Sequence, residues 1–253
     1  PSNTSSVWVG TGENNNQRSV AYGDGVYKSD DSGKTWKHMG FKESEHIGKI
    51  VVDPYNSDVV YVAAYGPLWS AGGDRGLYKT TDGGKNWKKI IETDEHTGVN
   101  DIIVDPRNTD VMYAAAHQRR RRVFTYISGG PGSMLMKSQD GGLSWDTLAN
   151  GFPTGDLGRI GLGISPVNPD YVFAIVEGTK ANKGFYRSTN RGASWKKMSG
   201  HTSSGNYYTE IVPDPVEIDR IYSMETWGQV SNDGGASWQA TGERSKHVDN
   251  HCM

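Results

Sequence analysis

Four carboxylate residues stand in segments that separate strand-like stretches of this sequence: Glu13, Asp24, Glu210 and Glu225. Glycosidic bonds are cleaved by two carboxyl groups about 5–9.5 Å apart, one of which is kept protonated. The residue types therefore fit a catalytic pair, although the sequence does not give their separation. The alternative is that these carboxylates cap turns or pair with arginines.

A run of four arginines, Arg119–Arg122, lies in the segment HQRRRRVFT. Guanidinium groups bind carboxylates and phosphates through paired hydrogen bonds, so Arg119 and Arg120 are candidate ligand-binding residues. The alternative is that the run forms ion pairs with acidic loops of neighbouring repeats.

Three metal-ligand types alternate near the C-terminus, at His247, Asp249 and His251. On a strand they would share one side, and two imidazoles with a carboxylate are a reasonable metal-binding set. The alternative is hydrogen-bonded loop residues. We favour that alternative and expect neither a metal nor another cofactor.

Aromatic and cationic residues are concentrated in the same long connecting segments. Aromatic rings stack on sugar rings or on peptide side chains, and cations hold polar groups. The candidate ligand-binding residues are Arg18, Tyr22, Trp69, Arg119, Arg120, Tyr207, Tyr208 and Trp227.

These segments connect the copies of an internal repeat. The motif Ser/Thr-x-Asp-x-Gly-x-x-Trp occurs at Ser29–Trp36, Thr80–Trp87, Ser138–Trp145, Ser188–Trp195 and Ser231–Trp238, with Asn190 replacing the aspartate in the fourth copy. A second pattern lies between the copies, as in IVVDPYNSDVVYVA at Ile50–Ala63. The period of about 50 residues and the paired turn signals predict four antiparallel strands per unit.

The predicted fold is therefore all-β, a β-propeller with five four-stranded blades. Its repeat units run approximately over residues 1–53, 54–105, 106–165, 166–214 and 215–253 of a single domain. In the second unit we expect strands at about Ile50–Asp53, Val59–Ala64, Gly76–Thr80 and Trp87–Ile91. The sequence starts at a second-strand pattern, which fits either a closed five-blade ring completed by the C-terminal segment or a stretch of a larger propeller. We favour the larger propeller, because Val248–Met253 is too short and polar to resemble Ile50–Asp53.

Strand direction alternates within a blade, so successive connections alternate between two faces. The Asp-Pro turns and the Trp-containing motifs are predicted on one face. The long, dissimilar connections, with all the candidate residues above, are predicted on the other, where binding sites on rigid scaffolds usually lie.

Bulk composition excludes several classes of partner. Net charge is −2, which argues against nucleic acid. No apolar stretch has the roughly 20 residues of a membrane helix, so we expect no membrane insertion. The single cysteine, Cys252, excludes an internal disulfide.

The five repeats, together with GTGENNNQRSVAYGDGVYKS, HQRRRRVFT and GERSKHVDNH, resemble the Asp-box (bacterial neuraminidase repeat) propellers, in particular exported bacterial proteins that are glycosyl-hydrolase-like or sortilin-like. The resemblance implies secretion to the periplasm or the extracellular space and a longer parent protein with other domains. The Arg-Ile-Pro segment of sialidases is absent. The catalytic aspartate of xyloglucan-degrading members aligns with Tyr22, and Asp24 lies two positions later.

The sequence thus favours an extracellular propeller that binds a glycan or an extended polypeptide through its long-loop face. One alternative is a glycoside hydrolase acting on β-glucan-type polysaccharide. Another is a structural subunit of an extracellular assembly.

Overall fold

The computed structural model describes residues 3–242 and 245–252, and its strands form five antiparallel sheets in chain order. The strands are β1 (Val7–Gly10), β2 (Val26–Ser29), β3 (Lys37–His38), β4 (Ile47–Val52), β5 (Val60–Ala64), β6 (Gly76–Thr80), β7 (Lys88–Ile91), β8 (Thr97–Val104), β9 (Met112–Arg121), β10 (Tyr126–Ser128), β11 (Met134–Ser138), β12 (Asp146–Thr147), β13 (Leu157–Ile164), β14 (Val172–Gly178), β15 (Gly184–Ser188), β16 (Lys196–Ser199), β17 (Ile211–Pro213), β18 (Ile221–Ser223), β19 (Gln229–Ser231) and β20 (Gln239–Ala240). One 3-10 turn, Lys42–Ser44, precedes β4.

Each sheet is a meander in which a strand pairs with the next strand of the chain. The second sheet has the order β4-β5-β6-β7, and the fourth and fifth sheets repeat this order with β13–β16 and β17–β20. The third sheet contains β8, β9, β11 and β12, and β10 extends it by pairing with the end of β9. The first sheet has three strands rather than the predicted four, because β1 occupies the second-strand position.

The repeat units and the sheets are offset by one strand. Each repeat unit read from the sequence starts at the second strand of one sheet and ends with the first strand of the next, as β5–β7 and β8 do in residues 54–105. The predicted strands of the second unit are confirmed to within a few residues.

Four apolar clusters fill the four spaces between consecutive sheets. One joins Val26 to Val62, the next Leu77 to Met112, the third Tyr113 to Leu162, and the fourth groups Phe173 with Ile211. Strand β5 and the first half of β9, Met112–Ala116, are apolar on both faces, as expected for strands covered by a sheet on either side. This stacking of sheets confirms the predicted all-β propeller architecture.

The motif at Thr80–Trp87 shows how a short polar sequence fixes a tight turn. The Thr80 hydroxyl donates to Asp82 Oδ1 at 2.8 Å and accepts from the Gly84 amide at 3.0 Å, and Asp82 Oδ1 also accepts from the Asn86 amide at 2.9 Å. Gly84 has φ +91°, a conformation that glycine adopts without strain. Hydrogen bonds from Asn86 and Thr80 hold the pKa of Asp82 down to about 2.

The tryptophans that end the later motifs pack against the preceding sheet. Trp87 contacts Phe41 with ring centroids 5.0 Å apart, and Trp195 contacts Phe152 at 5.1 Å. Trp36 belongs to the first sheet, against which no earlier sheet of the described part of the chain packs, and it is 42% exposed. The predicted inward packing therefore holds for Trp87 and Trp195 and is weakest at Trp36.

The first strands of the four-stranded sheets approach one another closely along the inner edge of the stack. A Cβ added to Gly48 of β4 would lie 2.7 Å from Asn100 O of β8, and one added to Gly161 of β13 would lie 1.7 Å from Thr209 O, just before β17. Only glycine allows this spacing, which brings β4, β8, β13 and β17 together. Among the described residues, the structure contains no helix long and apolar enough to cross a membrane.

Candidate functional site

The two sets of connections lie on opposite faces of the stack. In the second sheet the Gly83 amide of the motif turn donates to Asp58 O of the Asp-Pro turn at 3.0 Å, and Gly141 to Asp110 repeats this bond in the third. We call this side the turn face. The other side, the loop face, carries the connections between second and third strands and between consecutive sheets.

The loop-face connections bond to one another. His46 Nδ1 lies 2.9 Å from Glu13 O, and the Glu43 amide donates to Asp74 Oδ2 at 3.2 Å. Long connections from neighbouring sheets therefore support one another, which gives the loop face a defined surface.

Residues 13–19 cross the loop face from the first sheet to the connection that precedes the fifth. The amide of Asn16 donates to Asn206 O at 2.8 Å, and its side-chain Nδ2 donates to Gly205 O at 3.2 Å. Asn16 is fully buried by these contacts. Two segments that are distant in sequence thus become neighbouring walls.

An open depression of about 580 Å³ lies between these walls, and we call it the outer depression. Its lining residues are Glu13, Asn15, Gln17, Arg18, Ser19, Tyr207, Tyr208, Thr226, Asp249 and His251. The structure therefore brings together the candidate residues Glu13, Arg18, Tyr207 and Tyr208 with Asp249 and His251 of the C-terminal triad.

The two tyrosines of the outer depression differ in accessibility. Tyr207 is 40% exposed, whereas Tyr208 is only 3% exposed. The Tyr208 hydroxyl donates to Asp249 Oδ1, its ring packs 4.8 Å from that of His251, and burial raises its pKa. Tyr207 offers an open ring face. The prediction of Tyr208 as an open stacking platform is wrong, because its ring is buried within the wall of the depression.

A second cavity, the axial cavity, has a volume of about 340 Å³ and is lined by the inner strands β4, β8, β13 and β17. Lys49 Nζ lies 2.7 Å from Asp101 Oδ1, and Asp101 Oδ2 accepts from the Leu162 amide at 2.9 Å. Arg159, only 1% exposed, also lines it. His251 lines both the axial cavity and the outer depression.

Glu210 stands in the wall of the axial cavity with donors on both carboxylate oxygens. Its Oε1 lies 3.6 Å from the Arg159 guanidinium, and its Oε2 accepts from the Thr209 amide at 3.0 Å and lies 4.0 Å from His251 Nδ1. Among the four candidate carboxylates, Glu210 is the one that lines the axial cavity.

The prediction that Arg119 contacts ligand is wrong, since Arg119 is fully buried. Its guanidinium donates to Asn15 O at 2.9 Å and to Gly66 O at 2.9 Å, and it lies 3.3 Å from the centre of the Tyr65 ring. Burial lowers the pKa of Arg119 to about 10. Arg120 is half-buried and lines neither cavity.

The alternative for the arginine run, ion pairs with acidic loops of neighbouring repeats, is also not seen among the described residues. Arg119 and Arg121 bond carbonyl oxygens and aromatic rings instead of carboxylates; Arg121 Nε donates to Asn16 O at 2.7 Å. The run therefore supports the loop that walls the outer depression.

Five further candidates lie on the loop-face connections but line neither cavity: Asp24, Tyr22, Trp69, Glu225 and Trp227. Asp24 accepts from the Tyr27 hydroxyl at 2.8 Å, and Tyr22 is 76% exposed. Burial raises the pKa of Glu225. The structure thus divides the four candidate carboxylates between the outer depression, the axial cavity and two separate positions.

The alternating C-terminal triad does not form a metal centre in the described part of the chain, which contains no group of three His, Cys, Asp or Glu side chains able to hold a metal ion. The premise of a shared strand side is wrong, because residues 245–252 form no strand. His247 contacts the carbonyl of Val248, while Asp249 and His251 face the outer depression. Glu243 and Arg244 of this segment lie outside the described residues.

Sequence reasoning missed the polar residues of the axial cavity: Lys49, Asn100, Asp101 and Arg159. Each interrupts an apolar first-strand segment one to three residues after a glycine, as in GKIVV and GRIGLG. That recurring interruption is the signal that marks them, since a polar residue in a strand covered on both faces needs a partner.

A family described as "Sortilin, neurotensin receptor 3" (Sortilin-Vps10) matches residues 24–154, just over half of the chain. A "Probable oligoxyloglucan-reducing end-specific xyloglucanase" of Neosartorya fischeri is 26% identical over 256 residues, which cover 87% of this chain and 30% of the relative. A xyloglucanase of Hypocrea jecorina is 23% identical over 66% of this chain and 19% of its own length. The chain thus spans less than a third of these curated relatives.

Solved structures show the same fold. An ancestral GH74 enzyme superposes with a TM-score of 0.67 at 22% identity, covering 96% of this chain and 32% of its own. The GH74 xyloglucanase of Xanthomonas campestris also gives 0.67, at 14% identity over 92% of this chain and 36% of its own.

Proposed function

The chain belongs to the Sortilin-Vps10 family, and from that premise we propose that its loop face binds a β-glucan-type polysaccharide as part of a glycoside hydrolase. The observation that carries the proposal is the outer depression, where an exposed tyrosine ring, a guanidinium and two carboxylates share one open surface. The relatives named as xyloglucanases, which align with up to 87% of this chain, support this class of ligand.

The outer depression has the chemistry that a sugar chain requires. A pyranose ring presents C–H groups that pack on an aromatic face, here Tyr207, and hydroxyls that hydrogen-bond to Arg18 and Glu13. The depression is open, so a polymer can lie across it without threading an end.

Hydrolysis requires a second carboxyl group that donates a proton. Glu210 is the candidate base or nucleophile, because Arg159 and the Thr209 amide hold its carboxylate in the wall of the axial cavity. Glu13 and Asp249, on opposite walls of the outer depression, are the candidates for the proton donor.

Binding is tested by isothermal titration of soluble xyloglucan into the protein and its variants. Tyr207→Ala and Arg18→Ala are each expected to weaken binding about five- to tenfold, since one aromatic contact or one hydrogen bond contributes about 1 kcal/mol. The matched control is Tyr55→Ala, an exposed tyrosine of the turn face, which should bind like the wild type. Equal affinity in all four proteins would remove the outer depression as the site.

Hydrolysis is tested by release of reducing ends from the same polymer. Glu210→Gln is expected to abolish release, and one of Glu13→Gln or Asp249→Asn should lower it at least a hundredfold. Asp24→Asn, a loop-face carboxylate outside both cavities, is the control. Binding without any hydrolysis by the wild type would leave a binding module, which is the reading the sequence favoured first.

The polypeptide ligand, the structural-subunit role and the extracellular location remain predictions. The polypeptide alternative is separated from the present proposal by the same titration, because a peptide-specific face would leave xyloglucan unbound.

A further inference from the structure

A β-hairpin on the loop face has an apolar tip. Strands β9 and β10 pair through Arg121 with Tyr126 and Arg119 with Ser128, and the Arg122 amide donates to Thr125 O at 2.8 Å to close the turn. At the tip Val123 is 77% exposed and Phe124 is 95% exposed, the largest exposed fraction among the large hydrophobic side chains described. A phenyl ring presented in this way has almost no contacts within its own chain.

The root of this hairpin is held firmly in place. The Arg121 guanidinium stacks 4.0 Å from the centre of the Tyr126 ring, and the Arg121 amide donates to Leu68 O at 2.9 Å. These contacts join the third sheet to the connection that carries Trp69. The tip is therefore a rigid projection. The contacts at its root offset the unfavourable exposure of its apolar side chains to water.

The same root supports both walls of the outer depression. Arg121 Nε donates to Asn16 O at 2.7 Å, within the 13–19 wall, and the Tyr126 hydroxyl donates to Asn206 Oδ1 at 2.8 Å, next to Tyr207 in the opposite wall. The root therefore links the outer depression to the tip of the hairpin. Phe124 then adds an aromatic platform and Arg122, exposed beside it, adds a hydrogen-bond donor.

We propose that the β9–β10 hairpin is an extended saccharide subsite in which Phe124 stacks on a sugar unit beyond those held in the outer depression. This inference rests on the proposed function and deepens it, because it makes the ligand a long polysaccharide and not a short oligosaccharide. Rigid presentation favours such a role, since stacking then costs little conformational entropy.

An anionic membrane surface is the other class of partner that an apolar tip with flanking arginines fits. Two apolar side chains bury too little surface for stable membrane attachment on their own. Continuity of the hairpin root with the walls of the depression favours the polysaccharide.

The test compares two ligands, polymeric xyloglucan and an oligosaccharide of one repeating unit, by isothermal titration. Phe124→Ala should weaken polymer binding about five- to tenfold and leave oligosaccharide binding unchanged, and Phe124→Tyr should restore polymer affinity. Tyr207→Ala should weaken both ligands. Hydroxyl-radical oxidation of Phe124 should also fall when polymer is bound.

Different outcomes separate the two proposals. Polymer affinity that is unchanged in Phe124→Ala but lost in Tyr207→Ala overturns the hairpin subsite alone, whereas a wild-type protein that binds neither ligand overturns the proposed function. Phe124-dependent co-sedimentation with vesicles of phosphatidylserine and phosphatidylcholine, without an effect on polymer binding, would assign the tip to a membrane surface.

Discussion

Replacing Gly161 by alanine tests the close approach of the inner strands. Gly161 lies in β13, and a Cβ there would be 1.7 Å from the Thr209 carbonyl oxygen and 2.6 Å from its carbon. Both of those atoms are backbone, so no side-chain rotation relieves the contact. The fourth sheet and the residues that enter the fifth must separate.

The expected cost follows from the size of that overlap. An ordinary carbon–oxygen contact is about 3.2 Å, so the strands must move apart by roughly 1.5 Å, and overpacking of this kind costs about 3 kcal/mol of unfolding free energy. For a chain of this length that corresponds to a fall in Tm of about 6–12 °C. Thr209 precedes Glu210, so the movement also displaces a candidate catalytic carboxylate.

Thermal and urea denaturation of Gly161→Ala and Gly200→Ala measure this effect. A Cβ at Gly200 meets no atom within 4 Å, so that variant should be neutral or more stable by up to about 1 kcal/mol. If both variants unfold at the wild-type temperature, the inner strands are not packed as described.

Three further predictions concern stability and titration. Trp195→Ala should lower the unfolding free energy by about 3–5 kcal/mol, because Trp195 is 6% exposed, whereas Trp36→Ala, at 42% exposed, should cost no more than about 1 kcal/mol by urea titration. Burial lowers the pKa of His46 to about 3 and of His201 to about 4. Both imidazoles are neutral above pH 6.5 in the folded and unfolded states, so the protein is most stable there with respect to these groups, and protonation of the unfolded chain destabilises the fold at lower pH. The urea midpoint should therefore fall as the pH drops from 6.5 towards 4, and the fall should be smaller in His201→Asn. Carboxyl NMR should find four Asp-box carboxylates that titrate near pH 2. The stability that these carboxylates contribute is therefore complete above about pH 4 and is lost towards pH 2. Asn190→Asp should add a fifth such carboxylate, and a pKa near 4 for that group would contradict the turn geometry.

Strand positions were predictable because the turn chemistry is local. Ser/Thr, Asp and Gly at fixed spacing satisfy one another within eight residues, as Thr80, Asp82 and Gly84 do. Strand β5, buried throughout, was predicted at about Val59–Ala64 because it directly follows such a turn signal. Assignment of connections to two faces followed from strand alternation alone.

The site was only partly predictable because its contacts are long-range. Glu13 and Tyr207 meet across nearly 200 residues of sequence, and nothing local indicates that Asn16 bonds to Asn206. Arg119 was expected to be accessible, but carbonyl groups from residues 15 and 66 bury it. Phe124 was missed because a hairpin extending one strand of a blade departs from the repeat.

Hydrogen–deuterium exchange with and without saturating soluble xyloglucan tests the central proposal most directly. We expect slower exchange in residues 13–19, 203–208 and 245–252, which form the walls of the outer depression, and unchanged exchange in the Asp-box turns of the opposite face. Protection confined to the turn face, or no protection anywhere at saturation, would contradict it.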